Sequence, residues 1–370
     1  MPGTGPLRGV RVVEMASVAT GAFAGMLLAD MGADVVRVDR PGPAEPAVIG
    51  SPETEVLQRG RRAITIDLKE PDGRATLRAL MERADVLIEC FRPGVMERFG
   101  LGPDDCRAAN PRLVYGRVTG WGQDGPLAQV PGRDINYIAL AGALAHIGRA
   151  GEPPTVPLCL VGDAAGAGML AAVGILAALF EAQRSGEGQV VDAAMIDGTA
   201  LLTSLLWGYR AAGDHTGPRG TNLLDGGAPF YDVYETADGG YVSVGAVDPR
   251  NHAELCRLLD LGDEDPSARF DPATWPGRKE RLAKVFKTRT RREWCDLLEG
   301  TDTCFAPVLT MDEAPDHSHH RARRTFVDHD GVTQPAPAPR FSRTPGVIAG
   351  PPPHLAVDAA AILTEWTETP

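Results

Sequence analysis

Along the first part of the chain, short apolar runs typical of strands alternate with longer apolar runs typical of helices. Residues 11–15 predict a buried strand, residues 21–31 a helix that ends at Gly32, and residues 34–38 a second strand. This order predicts a βαβ unit, in which the crossover helix makes the two strands parallel. We therefore expect an α/β domain with a parallel sheet.

The same alternation continues to about residue 214, where the composition changes. Further strands are predicted at 62–68, 85–89, 113–118 and 189–194, and helices at 71–83, 164–181 and 197–212. A turn-rich stretch, a β-hairpin around Ala237-Asp238-Gly239-Gly240 and short helices follow. We predict a large α/β domain at 1–214 and a small α+β domain with its linker at 215–310. The segment at 311–370 is expected to return to the large domain and pack on it. Its part from Pro335 to Ala359 is rich in proline, which suits a segment that wraps a surface rather than one that forms a core.

Arginines stand where two of the predicted strands end. Arg37 and Arg40 flank Asp39 after the second strand, and Arg92 follows the strand at 85–89. In open α/β sheets ligands bind at the carboxyl ends of the strands, so these arginines are candidates to hold a phosphate. A solvated strand end explains Arg37 and Arg40 equally well. The turn after the first strand lacks the G-x-G-x-x-G pattern, which argues against a nicotinamide cofactor.

Two short polar stretches lie just before apolar runs and are candidate points of chemistry. Gly132-Arg133-Asp134 precedes the run at 135–144, and Gly162-Asp163 precedes the predicted helix at 164–181. A helix N-terminus stabilises negative charge, so Asp163 is interpreted in two ways. It is either a helix N-cap, or a carboxylate that handles a proton while the nearby N–H groups receive a developing oxyanion. The residues alone leave both interpretations open.

Composition excludes several classes of partner. The chain has 370 residues, of which 43% are hydrophobic, and its net charge is −12, which argues against nucleic acids and acidic membranes as partners. Six cysteines without a CxxC pair predict neither a zinc site nor a disulfide framework. Arginines follow the cluster at 316–320 that contains three histidines, so no metal site is predicted. Neither a signal peptide nor an apolar run fit to span a bilayer is evident, so we expect a cytoplasmic location.

Several long stretches together resemble the family III CoA transferases, and within them the α-methylacyl-CoA racemases. Those stretches include LLADMGADVVRVDRPG, ADVLIECFRPGVMERFGLGP, DINYIALAGALAHIGR, LVGDAAGAGM and GQVVDAAMIDG. The resemblance implies a Rossmann-like large domain, a smaller α+β domain and an interlocked homodimer with its active site between the large domain of one chain and the small domain of the other. It also implies an acyl-CoA substrate whose CoA binds at Arg40, Lys69 and Arg92, without a separate cofactor.

The same resemblance implies racemisation by removal of the α-proton, with three family residues in the site. Asp163 matches the family's aspartate, whereas Arg133 stands in place of its histidine base and Asp248 in place of its glutamate. A guanidinium stays protonated and cannot abstract a proton. Tyr137 and His146 are possible substitute acids, although packing explains each of them better.

Three hypotheses of function follow from this substitution. The first is a racemase-like enzyme that uses Asp163 as the base and Arg133 to stabilise an enolate. The second is a CoA transferase in which Asp163 attacks the thioester as a nucleophile and Arg133 holds the acceptor carboxylate. The third is a repurposed or non-catalytic acyl-CoA-binding protein.

Overall fold

A computed structural model of the protein describes residues 4–17, 19–42, 54–262, 268–353 and 355–368. Over that part of the chain, the contacts divide the protein into two compact units. The first unit comprises Met1–Ala141, Leu158–Leu202 and Arg324–Pro370, and the second comprises Gly142–Pro157 and Thr203–Arg323.

These units divide the chain at other positions than the predicted domains 1–214, 215–310 and 311–370. Residues 142–157 group with the second unit, where the Arg219 side chain donates a hydrogen bond of 2.9 Å to the carbonyl of Ala145. Residues 311–323 also belong to the second unit, where Arg291 donates to Glu313 at 3.2 Å. Contacts distant in sequence set these boundaries, and a change of composition does not report them.

The first unit is an α/β fold built on a parallel sheet. Its elements up to residue 202 are, in chain order, β1 Arg11–Met15, α1 Thr20–Asp30, β2 Asp34–Asp39, β3 Arg61–Thr65, α2 Pro71–Met81, β4 Val86–Glu89, α3 Val95–Arg98, α4 Pro103–Ala109, β5 Val114–Thr119, α5 Asp134–Leu140, a π-helical segment Leu160–Met169, α6 Leu170–Ser185, β6 Val190–Ala194 and α7 Met195–Leu202. Among the described residues the sheet has six strands in the order β3-β2-β1-β4-β5-β6, and all of its pairs are parallel. The predicted fold class is confirmed.

The second unit carries an antiparallel sheet with helices. Its elements are α8 Ser204–Ala212, β7 Tyr231–Glu235, β8 Tyr241–Gly245, α9 Pro249–Leu258, α10 Trp275–Phe286, α11 Arg291–Leu298, β9 Phe305–Val308 and α12 Ser318–Arg323. In the described part of the chain its sheet has three strands in the order β7-β8-β9. The predicted hairpin is the β7-β8 pair, and Tyr234, Phe286 and Trp294 lie in the hydrophobic core of this unit.

The chain then returns to the first unit as β10 Phe326–His329, β11 Val332–Pro335 and α13 Ala359–Glu368. Helix α13 begins where the proline-rich part from Pro335 to Ala359 ends, and it packs into the core of the first unit. Ile362 and Trp366 are buried in the same hydrophobic cluster as Val36 and Leu87, and the Trp366 indole donates a hydrogen bond of 2.7 Å to Asp34. Apolar residues spaced four apart give this short helix a face that packs on the sheet.

Both faces of the parallel sheet are covered. Val12 and Val13 lie in different hydrophobic clusters, because successive residues of a strand point to opposite faces. The face that contains Val12 packs against α1 and α6, with Leu28 and Ile175 fully buried. Burial on both faces explains why the strand sequences are runs of apolar residues without alternation.

The longest helical stretch, Leu160–Ser185, differs from the expectation in two respects. It begins four residues before the predicted start at 164, with a π-helical segment that leads into α6. It has 26 residues, and an 18-residue window within it has a mean hydropathy of 1.8, so by length and composition it is fit to cross a membrane, contrary to the sequence-based expectation. Ala171, Ile175 and Ala178 on this helix are buried in the core of the first unit, as in the core helix of an α/β domain.

Candidate active site

Asp163 lies in the first turn of the π-helical segment, where several helix starts of the first unit come together. Its carboxylate accepts a hydrogen bond of 3.1 Å from the hydroxyl of Thr20, the first residue of α1. Its backbone N–H donates at 2.8 Å to Oδ1 of Asp134, the first residue of α5. Thr20 follows β1 at the carboxyl end of the sheet, next to the point where the strand order reverses between β1 and β4. This position is the usual place for a ligand in an open α/β sheet.

The structure rejects the interpretation of Asp163 as an N-cap. The N-cap position of this helical stretch is Cys159, and Asp163 lies inside the helix. A tertiary contact provides the capping acceptor instead, because the Asp134 carboxylate takes the backbone N–H of Asp163. The Asp163 side chain is therefore available for another role. π-helical turns also occur often at functional sites.

The surroundings of Asp163 raise the pKa of its carboxyl above the ordinary value. Burial is the largest cause, because it disfavours the charged form, and the neighbouring Asp134 carboxylate adds to the effect. Thr20, Cys159 and Arg133 act in the opposite direction through hydrogen bonds or positive charge. A raised pKa makes the carboxylate a stronger base than an exposed aspartate.

Arg133 immediately precedes α5 and is brought near Asp163. Its backbone N–H donates at 3.0 Å to the side-chain carbonyl of Asn136, which closes the first turn of α5. Its exposed guanidinium donates at 3.0 Å to the carbonyl of Gly132 and is close enough to lower the pKa of Asp163. A fixed positive charge beside the carboxylate suits the stabilisation of an oxyanion, and it cannot serve as a base.

The two predicted substitute acids belong to different units. Tyr137 is buried next to the site, edge-on to Trp121 with ring centroids 4.6 Å apart, and burial raises its pKa. Glycines at 120 and 132 allow this packing, because a Cβ at either position would collide with the Tyr137 ring. His146 belongs to the second unit, where its Nδ1 lies 3.3 Å from Nε2 of His215.

Two of the three predicted CoA-binding residues line one cavity of the first unit. Arg40 and Lys69 border a cavity of about 690 Å³ at the carboxyl ends of β1, β2 and β3. Gln58 also lines it, and the buried Oε1 of that side chain has no hydrogen-bond partner among the residues that the structure describes. Arg92 is exposed and is not a lining residue; its charge acts on Tyr137 instead. Two cationic side chains and an apolar wall suit a phosphorylated ligand such as CoA.

Asp248 lies at the N-cap position of α9 in the second unit and is exposed. Across the described residues its side chain makes no capping hydrogen bond. Its predicted role beside Asp163 remains a prediction.

Sequence reasoning missed three side chains around Asp163, namely Thr20, Asp134 and Cys159. In the sequence Asp134 is only the neighbour of Arg133, and Thr20 lies 143 residues before Asp163. A signal for Cys159 was available. It stands four residues before Asp163, and residues spaced by four lie on one face of a helix. A helix that begins at 164, as predicted, contains neither residue, so the spacing became informative only with the observed start at Leu160.

Comparisons with known proteins identify the family of the chain. A model of the CoA-transferase family III matches residues 7–359 of the chain. The chain is 48% identical over 342 residues to the alpha-methylacyl-CoA racemase of Mus musculus, a match that covers 92% of this chain and 88% of the mouse protein. The Homo sapiens alpha-methylacyl-CoA racemase is 45% identical with the same coverage of both chains.

Solved structures lead to the same family. A CAIB/BAIF family protein from Brucella suis superposes with a TM-score of 0.84 at 27% identity, covering 98% of this chain and 100% of that one. The family resemblance is therefore confirmed by sequence and by fold: the chain belongs to the CoA-transferase family III.

Proposed function

We propose that the protein is a racemase-type isomerase that changes the configuration at the α-carbon of 2-methylacyl-CoA thioesters. The observation that carries the proposal is the partly buried Asp163, whose carboxylate is held by Thr20 and whose pKa is raised by burial. The identity to two alpha-methylacyl-CoA racemases supports the choice of reaction and substrate.

In the proposed reaction the Asp163 carboxylate removes the α-proton, and the electrons of the broken C–H bond move into the thioester to form an enolate. Arg133 stabilises the negative charge that develops on the thioester oxygen. A base with a raised pKa favours this step, because a more basic carboxylate gives a larger driving force for proton transfer.

We propose that CoA binds as part of the substrate, without a separate cofactor, with its phosphates held by Arg40, Lys69 and Arg92. The cavity that Arg40 and Lys69 share supports this placement. Loss of Arg40 is expected to weaken acyl-CoA binding by about 1.5 to 3 kcal/mol, the usual contribution of a hydrogen bond to a charged group. Salt should weaken wild-type binding more than binding to an Arg40→Ala variant, because exposed phosphate contacts are screened.

We further propose a homodimer in which Asp248 of one chain completes the site around Asp163 of the other, with no nucleic acid or membrane as partner. Apolar side chains on the helices of the first unit support a protein interface, since Val173 is 59% and Phe180 is 64% exposed. A cytoplasmic location remains part of the proposal, supported by six cysteines that are all free in the described part of the chain.

The test is incubation of each enantiomer of a 2-methylacyl-CoA in heavy water, followed by NMR of the α-position. Wild type should incorporate α-deuterium, and an Asp163→Asn variant should not. Two results would count against the isomerase. Transfer of CoA to an added free acid, with a borohydride-trapped thioester on Asp163 and no α-deuterium, would indicate the transferase. Binding of acyl-CoA without either reaction would indicate a non-catalytic homologue.

A further inference from the structure

Two side chains from outside the π-helical segment hold Asp163, and they come from different helices. The hydroxyl of Thr20, at the start of α1, donates a hydrogen bond of 3.1 Å to Oδ1 of the Asp163 carboxylate. The carboxylate of Asp134, at the start of α5, accepts the backbone N–H of Asp163 at 2.8 Å. Thr20 and Asp134 are each 5% exposed, and hydrogen bonds in such surroundings are stronger than in water.

The segment that carries Asp163 has glycines where these two helices approach it. A Cβ at Gly162 would lie 2.4 Å from Oδ1 of Asp134, and a Cβ at Gly168 would lie 2.9 Å from the ring of Phe23 on α1. A side chain at either position would therefore push a neighbouring helix away from the segment. Glycine at both positions allows the close approach that the two hydrogen bonds to Asp163 require.

The backbone before Thr20 has an unusual conformation. Ala19, the N-cap residue of α1, has a φ of 58° and a ψ of −86°, although a residue with a Cβ rarely adopts a positive φ. The carbonyl of Ala19 nevertheless accepts the N–H of Phe23 at 2.8 Å, so the helix begins directly at Thr20. Backbone strain of this kind persists where the surrounding structure imposes it, and it is frequent at functional sites. The fold therefore sets the turn that presents the Thr20 hydroxyl.

The two contacts have opposite effects on the proton affinity of Asp163. Burial raises the pKa of this carboxyl most strongly; the hydrogen bond from Thr20 then lowers it, and the negative charge of Asp134 raises it. Cys159 and Arg133 lower the same pKa in smaller measure. Oδ2 of Asp134 is buried without a hydrogen-bond partner in the part of the chain that the structure describes, so no donor at that oxygen offsets the charge.

We propose that Thr20 and Asp134 are positioning residues for the base of the reaction. Thr20 orients the Asp163 carboxylate, and Asp134 holds the helical turn that carries it. Both residues act through Asp163, and neither transfers a proton itself. This inference rests on the proposed function and names the side chains that prepare its base.

The test follows α-exchange against pH for wild type, Thr20→Val, Thr20→Ser and Asp134→Asn. An α-deuterated 2-methylacyl-CoA is incubated in ordinary water, and loss of the label is followed by mass analysis. The rate is expressed as kcat/KM, which reports the ionisation of groups in the free enzyme. In wild type it should rise with pH as Asp163 loses its proton and then become constant. Circular dichroism establishes that each variant is folded.

The rising part of this pH profile should move in opposite directions in the two sets of variants. Thr20→Val removes a donor to the charged carboxylate, so the rise should move to higher pH. Its constant rate should also fall, by up to about 10²-fold, because the carboxylate is no longer oriented. Thr20→Ser keeps the hydroxyl and should restore the wild-type profile. Asp134→Asn removes a negative charge but keeps a carbonyl oxygen for the Asp163 N–H, so the rise should move to lower pH.

Two matched controls remove the same chemical groups elsewhere in the first unit. Thr199→Val removes the hydroxyl of a threonine on α7 that is 0% exposed and lies against Gly166 of the π-helical segment. That hydroxyl has no hydrogen-bond partner among the described residues. Asp192→Asn changes an aspartate that accepts the backbone N–H of Gln123 at 3.3 Å. Both controls should keep the wild-type profile.

The outcomes separate this inference from the proposed function. If wild type exchanges the α-proton, and Thr20→Val and Asp134→Asn leave its pH profile in place or move it in the same direction, the inference is wrong and the proposed function stands. An equal loss of rate in Thr20→Val and Thr20→Ser without a change of profile would assign Thr20 to packing alone and also overturn the inference.

A variant that does not fold leaves the inference open to refutation by the other residue. If Asp134→Asn does not fold, a Thr20→Val profile equal to that of wild type overturns the inference. If Thr20→Val does not fold, an unmoved Asp134→Asn profile does so. A wild-type enzyme without α-exchange at any pH would refute the proposed function, and this inference with it, because Asp163 would then not be a base.

Discussion

Asp163 carries its negative charge in a partly buried place beside the Asp134 carboxylate. Because its pKa is raised, the folded state binds a proton more tightly than the unfolded state does. Stability therefore falls as the pH rises through the ordinary carboxyl pKa toward the folded value, and the full cost is present once the pH exceeds the folded pKa. We predict that Asp163→Asn abolishes α-exchange and yet raises the midpoint of thermal unfolding at neutral pH.

The stability that Asp163→Asn gains over wild type should shrink as the solution is acidified, because the Asp163 carboxyl of wild type is then protonated and neutral as well. Calorimetry at neutral and acidic pH checks both statements. A variant less stable than wild type at neutral pH would show that the hydrogen bond from Thr20 outweighs the cost of burial.

Substitution of Arg133 tests whether a fixed positive charge near Asp163 contributes to the reaction. If its guanidinium stabilises the enolate oxygen, Arg133→Ala should lower the rate of α-exchange by about 10² to 10³, as for the loss of an oxyanion-hole donor. Arg133→Lys should keep part of the rate, because the charge remains while the planar donor geometry is lost. Arg112→Ala, at an exposed position before β5, is the control. If NMR shows that Arg133→Ala exchanges the α-proton as fast as Arg112→Ala does, Arg133 does not stabilise the enolate oxygen.

At the scale of elements, a buried ion pair links strand β1 to the start of β3. Arg61 Nε lies 2.6 Å from Glu14 Oε2, and both side chains are 0% exposed. The same guanidinium donates to the backbone carbonyls of Leu57 and Ala22, which ties β3 to α1. Gly25 on α1 leaves room for the pair, since a Cβ there would collide with both partners.

We predict that Arg61→Leu lowers the free energy of unfolding by about 3 to 5 kcal/mol, because Glu14 is then buried without a partner. Glu14→Leu combined with Arg61→Leu should recover part of that loss, since no uncompensated charge remains. Urea denaturation followed by circular dichroism measures both. Arg257→Ala, which removes an exposed pair with Glu254, serves as a control and should change stability little. If the double variant is as unstable as Arg61→Leu, the hydrogen bonds from Arg61 to the carbonyls of Leu57 and Ala22 contribute more to stability than the ion pair with Glu14 does.

At the scale of the whole molecule, the helices α6 and α7 of the first unit each carry exposed apolar side chains. Val173, Phe180, Leu201 and Leu202 are all more than half exposed. A monomeric protein rarely presents so many large apolar groups on neighbouring elements. We predict a dimer that persists on dilution in sedimentation experiments, and loss of that dimer on Phe180→Asp.

Met311→Asp is the control for this prediction, because Met311 is 92% exposed and lies outside these helices. It should sediment as wild type does. Monomeric wild-type protein would contradict both the dimer and the proposed contribution of Asp248 from a second chain.

The elements of the fold follow closely from the sequence because their causes are local. Strand β1 spans Arg11–Met15 as predicted, and the β7-β8 hairpin forms around its Asp-Gly turn. The order of strand, helix and strand predicted a parallel sheet, and the observed sheet agrees. Periodicity and turn chemistry act over a few residues, so a single sequence reports them. The family motifs also pointed to Arg133 and Asp163, and in the folded protein the charge of Arg133 acts on the pKa of the Asp163 carboxyl.

Tertiary contacts determined the features of the structure that the sequence did not predict. The helix that carries Asp163 begins at Leu160 rather than at 164, and the Asp134 carboxylate caps its first turn from another helix. Thr20 reaches Asp163 across 143 residues, and Trp366 at the other end of the chain is buried in the core of the first unit. Only the folded chain brings such groups within hydrogen-bonding distance, because the sheet order sets their proximity. The sequence by itself therefore determined the elements and the family, whereas the tertiary structure determined the partners, the burial and the pKa of Asp163.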